Sequence, residues 1–324
     1  MIVFGRAAAG IQVYCADRMI PVGLIPLGED QAPEQIDHDR LGNLFVMWEN
    51  MKRIGQSGLS ILDSSGTLLA ERAEPYGKML VERKRSVAYL FYARRGPDTT
   101  ETLGGHAVHF AQWEMFYRSV GIGNENAELA LPDVSLSNAP AIDALGRIVI
   151  GGYRDPSGFS AILDPEKKQI IDSVYAPACT MATGGDGFVY AVNCVGELRV
   201  FDPVNYRLLG DRKLDVGGPY LGDTNYPGRI VIDGNGTVFV SNGSFDTLLR
   251  FERGATKPSA IATNVPHVAD LQLDASGNVY ALEGGPSAVK SSIRVFDGHT
   301  LEQLRTYDFD PKILSVYGMT IVDP

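Results

Sequence analysis

The stretch Ile230-Val231-Ile232-Asp233-Gly234-Asn235-Gly236-Thr237-Val238-Phe239-Val240 is two apolar runs around a short polar turn. Degenerate copies of it recur roughly every forty to sixty residues. They centre on Asp39 to Gly42, Asp143 to Gly146, Gly184 to Gly187 and Asp274 to Gly277. Gly supplies the positive φ that a tight reversal demands, and Asp or Asn closes the turn through its own side chain. The flanking Val, Ile, Leu, Phe and Tyr suit strands buried on both faces. Each copy therefore reads as a β-hairpin.

A second mark follows each hairpin. Ile61-Leu62-Asp63, Ile162-Leu163-Asp164, Val200-Phe201-Asp202 and Val295-Phe296-Asp297 each end a third strand, with Arg250-Phe251-Glu252 as a weaker copy. A more polar segment comes next, such as Tyr206-Arg207-Leu208-Leu209 or Leu301-Glu302-Gln303-Leu304. Four strands per repeat with the last one polar describes a propeller blade. The expectation is an all-β chain, a seven-bladed β-propeller with four-stranded antiparallel blades, in one domain over 1–324. Near the end of the chain Gly318-Met319-Thr320-Ile321-Val322-Asp323 stops inside its own hairpin, and the missing strands stand at the start: Ile2-Val3-Phe4, Ile11-Gln12-Val13-Tyr14 and Met19 to Ile25. Blade seven is thus expected to be shared by about 1–26 and 314–324, closed by both termini. An irregular, insert-bearing blade is expected over about 76–139, where Glu82-Arg83-Lys84-Arg85-Ser86 replaces the usual turn.

Phe188-Val189-Tyr190-Ala191-Val192-Asn193 followed by Leu198-Arg199-Val200-Phe201-Asp202 resembles the YVTN and NHL repeats of seven-bladed propellers, and 236–251 and 277–297 are similar. Such motifs specify strands and turns, and propellers of this kind include enzymes, ligand binders and scaffolds.

A net charge of -10 disfavours nucleic acid as a partner. No apolar run is long enough to span a membrane, and Met1 to Gly10 lacks the basic start and apolar core of a secretory signal, so the expected compartment is the cytoplasm or a virion. Cys15, Cys179 and Cys194 read as reduced strand residues. His106 and His109 lie in an apparent strand, where residues three apart face opposite sides, so they make no metal pair. Nucleophile elbow, phosphate loop and zinc spacing are all lacking.

Two candidate sites remain. The basic triplet Arg83, Lys84 and Arg85 stands where other blades carry an Asp-Gly turn, and would dock an acidic partner surface. The loops entering the innermost strands share a proline pattern, Ala32-Pro33-Glu34, Asn138-Ala139-Pro140, Ala176-Pro177-Ala178, Asn225-Tyr226-Pro227 and Asn264-Val265-Pro266, which gathers Asn, Asp and Glu oxygens at the channel mouth. The resemblance to gluconolactonase- and lactonase-like propellers implies a calcium or other divalent cation there, with Glu34, Asn138 and Asp223 as ligands; Ala139 departs from the Gly that family favours. The functional expectation is a non-enzymatic scaffold that binds protein partners without a cofactor, for instance as a structural subunit of a virus particle or phage tail. The alternative is a metal-dependent, lactonase-like hydrolase.

Overall fold

A computed structural model of the chain describes residues 2–5, 10–15, 20–28, 30–50, 52–53, 56–74, 77–103, 106–121, 124–125, 129–131, 140–153, 158–176, 178, 180–218, 228–284, 291–309 and 316–321. It is an all-β propeller. Strands β1 (Ile2–Gly5), β2 (Gly10–Cys15) and β3 (Ile20–Pro26) belong to a first sheet, and β4 (Gln31–His38), β5 (Leu44–Asn50), β6 (Ser57–Leu62) and β7 (Leu68–Ala73) form the second. Strands β8 (Lys78–Glu82), β9 (Val87–Leu103), β10 (His106–Gly121), β11 (Asn124–Glu125) and β12 (Leu129–Leu131) form a third. Three regular sheets follow: β13 (Ala141–Ile142) to β14 (Ile148–Tyr153), β15 (Phe159–Asp164) and β16 (Gln169–Tyr175); then β17 (Thr180–Thr183), β18 (Val189–Val192), β19 (Glu197–Phe201) and β20 (Leu208–Lys213); then β21 (Ile230–Ile232), β22 (Val238–Asn242), β23 (Thr247–Phe251) and β24 (Ala260–Thr263). The last is β25 (Val268–Leu273), β26 (Val279–Glu283), β27 (Ser292–Phe296) and β28 (Gln303–Asp308), after which β29 (Val316–Thr320) joins β1 in the first sheet.

Among the described residues, regular four-stranded antiparallel blades therefore number six, not the seven expected. The segment expected to supply the other makes a five-stranded sheet instead. Its cause is one long hairpin, in which β9 and β10 pair from Val87↔Gly121 out to Leu103↔His106. This sheet sits between the sheets of β4–β7 and β13–β16, because β8 neighbours both β4 and β13. The innermost strands β29, β4, β8, β13, β17, β21 and β25 adjoin one another in that order, and β25 returns to β29.

The cores lie between sheets, which explains why the second strand of each blade is apolar throughout. In β22, Val238 and Val240 pack with Tyr190 and Val192 of the preceding sheet, whereas Phe239 packs with Val279 and Ala281 of the following one. Alternation along a strand sends successive side chains to opposite faces, and here both faces are covered. The outermost strands β7, β20 and β28 are open to solvent and accordingly polar, as the sequence indicates.

The Asp turns form as their chemistry dictates. In the first, Gly42 adopts φ 80° and returns its N–H to the Asp39 carbonyl at 3.2 Å, while Asp39 Oδ1 accepts from the Leu41 and Asn43 amides at 2.8 and 2.9 Å. The same arrangement recurs at Asp143, Asp233 and Asp274. One carboxylate oxygen thus satisfies amides that the hairpin bend would leave unpaired. One cysteine expectation is corrected: Cys15 is a free thiol, but Cys194 is disulfide-bonded, and it lies in the exposed turn after β18 rather than in a strand. No helix occurs among the described residues, so none is long and apolar enough to cross a membrane.

The sheet containing both β1 and β29 closes the ring. Ile2, Val3 and Phe4 pair with Thr320, Met319 and Gly318 on one side and with Val13, Gln12 and Ile11 on the other. Ile11 is fully buried against Ile36, Leu44 and Val46, and Tyr14 packs with Tyr280, Ile293 and Met319. Deleting residues 1–16 removes both side chains, each worth about 1.5–3 kcal/mol as an upper estimate, against a typical total of about 5–15 kcal/mol. The truncated chain should aggregate through its bared edges. A circular permutant opened at Gly254, an exposed turn with open space around it, should melt as the intact chain does. A soluble, equally heat-stable truncation would contradict this closure; size-exclusion chromatography and thermal melting read both outcomes.

Candidate functional site

The innermost strands carry an unexpected set of charges. Glu34 is not in a loop, as its Ala32-Pro33-Glu34 context suggests; it falls in β4 at a bulge between Pro33 and Gln35. A bulge re-aims the side chain it carries. The neighbouring Gln35 bridges to the next sheet, donating from Nε2 to the Gly77 carbonyl at 2.6 Å and accepting from the Met79 amide at 2.8 Å. That bridge holds Lys78, the first residue of β8, near the half-buried Glu34. Lys78 is exposed to solvent, with protein packed around it. Desolvation and then the positive charge of Arg229 hold it below the ordinary lysine range, while Glu34 pulls the other way.

Arg229 precedes β21, three sheets further round the ring from β8. Its amide donates to Ser241 Oγ at 2.9 Å and its Nε to the Ala269 carbonyl at 3.0 Å, which carries its side chain toward β25. There Asp270, also at a bulge, accepts from the Met319 amide at 3.2 Å and from Gln272 Nε2 at 3.4 Å. Asp270 keeps some surface but is surrounded by protein, and burial pushes its carboxyl up to about 6 against the opposing charge of Arg229. Glu34, Lys78, Arg229 and Asp270 thus form a mixed charge set in or beside the innermost strands of four different sheets, with Arg229 acting on both Lys78 and Asp270.

At one end of the channel the first turns of successive sheets surround a cavity of about 960 Å³ lined by His38, Arg40, Glu82, Arg83, Lys84 and Asp143, among others. Its carboxylates are already engaged. Asp143 Oδ2 accepts from Arg147 Nε at 2.8 Å and from the Tyr206 hydroxyl at 2.7 Å. Asp39 is held below the usual range against the opposing effect of burial, by hydrogen bonds from Ser86, Asn43 and Leu41. Glu82 accepts from the Tyr89 hydroxyl and faces Arg85 Nε at 3.3 Å. The cations are outside: Arg40, Arg83 and Lys84 are exposed. Only Arg83 of these three has an ion pair among the described residues, with Asp37 at 3.0 Å. His38, sharing a 2.8 Å hydrogen bond with Thr320 Oγ1, ties this rim to the closing sheet.

Of the residues singled out in the sequence, Arg83 and Lys84 come together on this rim, and Arg85 turns away to Glu82 and, at 2.6 Å, to Glu166. Asn138 and Asp223 lie outside the described residues. Asn264 and His267 are exposed in the loop before β25, both at positive φ. Among the described residues no group of three or more His, Cys, Asp or Glu side chains is arranged to hold a metal. Sequence reasoning missed Arg40, Arg229 and Asp270, and placed Lys78 only with the basic residues around Arg83 to Arg85. For Lys78, Arg229 and Asp270 the available signal was a charge at or near the start of an otherwise apolar innermost strand.

No family model matches the chain, and no curated protein matches it. Solved structures do. One is the dihydro-heme d1 dehydrogenase NirN in complex with DHE, 12% identical, with a TM-score of 0.55, covering 97% of this chain and 73% of that one. Another is a protein of unknown function from Bacteroides caccae, 13% identical, with a TM-score of 0.49, covering 98% and 96%. At such identity the likeness to NirN shows the fold alone.

The raised carboxyl of Asp270 makes a signed prediction. Its folded value near 6 exceeds the unfolded value of about 3.9. Between those values the folded chain binds the extra proton, so this group's contribution to stability is full below about pH 4 and lost as pH rises through about 6. Asp270→Asn should raise the melting temperature at pH 7 and flatten its fall between about pH 4 and 6. Parallel melting curves for the two proteins across that range would remove Asp270 as the source.

Proposed function

We propose that this chain is a non-enzymatic propeller scaffold that docks an acidic protein surface at its turn-lined mouth, with YVTN- and NHL-like repeats closing as a seven-bladed ring in which the five-stranded sheet serves as the remaining blade. The observation that carries this reading is the separation of charge at the mouth. Carboxylates there are spent on turn amides, Tyr206, Tyr89 and arginines, while Arg40, Arg83 and Lys84 stand at the exposed rim. In a chain of net charge -10 such a local positive patch is a specific feature, and it would steer an acidic partner to one face. A stacked assembly, as in a virus particle, is the version of this reading in which the partner is another subunit.

The second reading, a lactonase-like hydrolase using calcium or another divalent cation at Glu34, Asn138 and Asp223, has the charge balance against it. Lys78 and Arg229 both act on the channel near Glu34 and would repel a dication. Chelator-sensitive melting together with turnover of a lactone panel would favour the hydrolase; melting indifferent to chelator and calcium, with no turnover, would leave the scaffold.

Charge reversal tests the docking face. A glutamate-rich peptide should bind the chain with an affinity that falls as salt rises. Arg40→Glu, Arg83→Glu and Lys84→Glu together should weaken it at least about tenfold and flatten the salt dependence, while each exposed change shifts stability by only about 0.5 kcal/mol. Arg85→Glu should instead act on stability, by freeing Glu82 and Glu166. An unchanged affinity and salt slope in the triple variant would remove this face as the docking site.

A further inference from the structure

The long hairpin of the five-stranded sheet outgrows its blade. Second strands elsewhere are short, seven residues in β5, six in β14 and five in β22, whereas β9 has 17 and β10 has 16. Strand β8 pairs with β9 only as far as Phe91, and β12 and β11 pair with β10 only from Met115 onward. Beyond these limits 95–103 and 106–113 pair with each other and, among the described residues, with no third strand. The nine residues of β9 in this arm span roughly 30 Å. A two-stranded ribbon is marginal alone in water, and its outer edges carry backbone groups that no described strand satisfies. Such an arm calls for a partner.

Topology sets the arm opposite the mouth. Strand β9 begins just after Arg83 and Lys84, which line the mouth cavity, so it runs away from that face. The cavity wall is built by turns of the sheets β4–β7, β8–β12, β13–β16 and β17–β20, the sector of the ring that includes the arm's own sheet. A copy displaced along the ring axis with little rotation therefore brings its arm to the mouth of the next. Charge fits as well. From 96 to 117 the sequence holds Asp98, Glu101 and Glu114 and no lysine or arginine. Glu114 stands in register with Arg94 at the base, which leaves Asp98 and Glu101 as the charges of the outer arm. The mouth offers exposed Arg40, Arg83 and Lys84, above carboxylates already held by Tyr89, Tyr206, Arg85 and Arg147. We propose that the outer arm of one copy docks in the cationic mouth of a second copy, head to tail. This rests on the reading of the mouth as a dock for an acidic surface, and it names that surface. The contact joins two different faces, so it repeats into a filament rather than closing a dimer.

Sedimentation velocity on the full chain, from about 1 to 300 μM and at low and high salt, tests this. The expected result is association that grows with concentration, passes beyond the dimer and recedes as salt rises. An arm-less chain, in which Asn-Gly replaces 95–113 and joins the register partners Arg94 and Glu114 through a two-residue turn, should stay monomeric. Asp98→Lys with Glu101→Lys in one chain, and Arg40→Glu, Arg83→Glu and Lys84→Glu in another, should each weaken association at least about tenfold. Mixing these two variants should restore it, because the arm of each then meets a mouth of opposite charge. Should the arm-less chain fail to fold, as read by thermal melting, the charge-reversed variants and their mixture decide. A full chain that is monomeric throughout, association that persists when the arm is reversed, or a mixture no stronger than its parts each overturns the proposal. The glutamate-rich peptide separates that failure from a failure of the mouth. Peptide that binds the arm-less chain but not the mouth variant, with no self-association of the full chain, keeps the dock and removes only the arm; no peptide binding and no self-association removes both.

Discussion

Pairing of β29 with β1 is the constraint on which the rest of the structure depends. Each blade buries its faces only against its neighbours, so the cores beside the first sheet and the facing edges of β1 and β29 are satisfied only when the ring closes. Strands near the two ends of the chain meet in one sheet, Ile2 opposite Thr320 and Val3 opposite Met319. The same junction is tied sideways by His38 to Thr320, by Tyr14 edge-on to Tyr307 at 4.7 Å, and by Asp270 to the Met319 amide. An open ring would leave apolar faces wet and strand edges unpaired, a state prone to aggregation. It would also disperse the channel, since Glu34, Lys78, Arg229 and Asp270 come together only through the closed order of the innermost strands.

Around that closure the blades repeat one economy of polar groups. At Asp143 and Asp186 the inner-turn aspartate serves its own hairpin first and then a neighbouring sheet. Asp143 accepts from Tyr206 of the next sheet, and Asp186 accepts from its own Tyr190 at 2.7 Å and from Arg253 of the next at 3.2 Å. Burial and the adjoining carboxylate push the Tyr206 and Tyr190 hydroxyls well above the usual tyrosine range, so they donate throughout the physiological range. A turn residue is thereby also an interblade tie.

How much of this was legible in the sequence follows from how local the cause is. Asp39, Asp143, Asp233 and Asp274 with their glycines could be read because turn chemistry acts within about five residues. The alternation in Val238-Phe239-Val240 told of burial on both faces for the same reason. An irregular blade was expected over about 76–139, but the long hairpin within it was not read: Arg95-Gly96-Pro97-Asp98 carries breaker residues, yet β9 continues through it, and the register shifts opposite, between Ala111 and Trp113. Proline is tolerated at such an irregularity, where no ladder donor is needed. Glu34 was assigned to a loop because Pro33 suggested one, and long-range pairing with β5 overrode that. The charges of the innermost strands could not be foreseen as a set: Lys78 and Arg229 are far apart in sequence, and only the fold brings their charges to bear on one another.

The channel and its mouth are consequences of a closed ring, so the seam is where the account is most exposed. Native-state hydrogen exchange, resolved by residue, measures it directly. The hydrogen-bonded amides of Ile2–Gly5 and Val316–Thr320 should exchange as slowly as those of β22 and β23, opening only with the whole ring. Rapid exchange at the seam beside slow exchange in the interior blades would show that the ends are not a structural part of the ring, and would contradict the account.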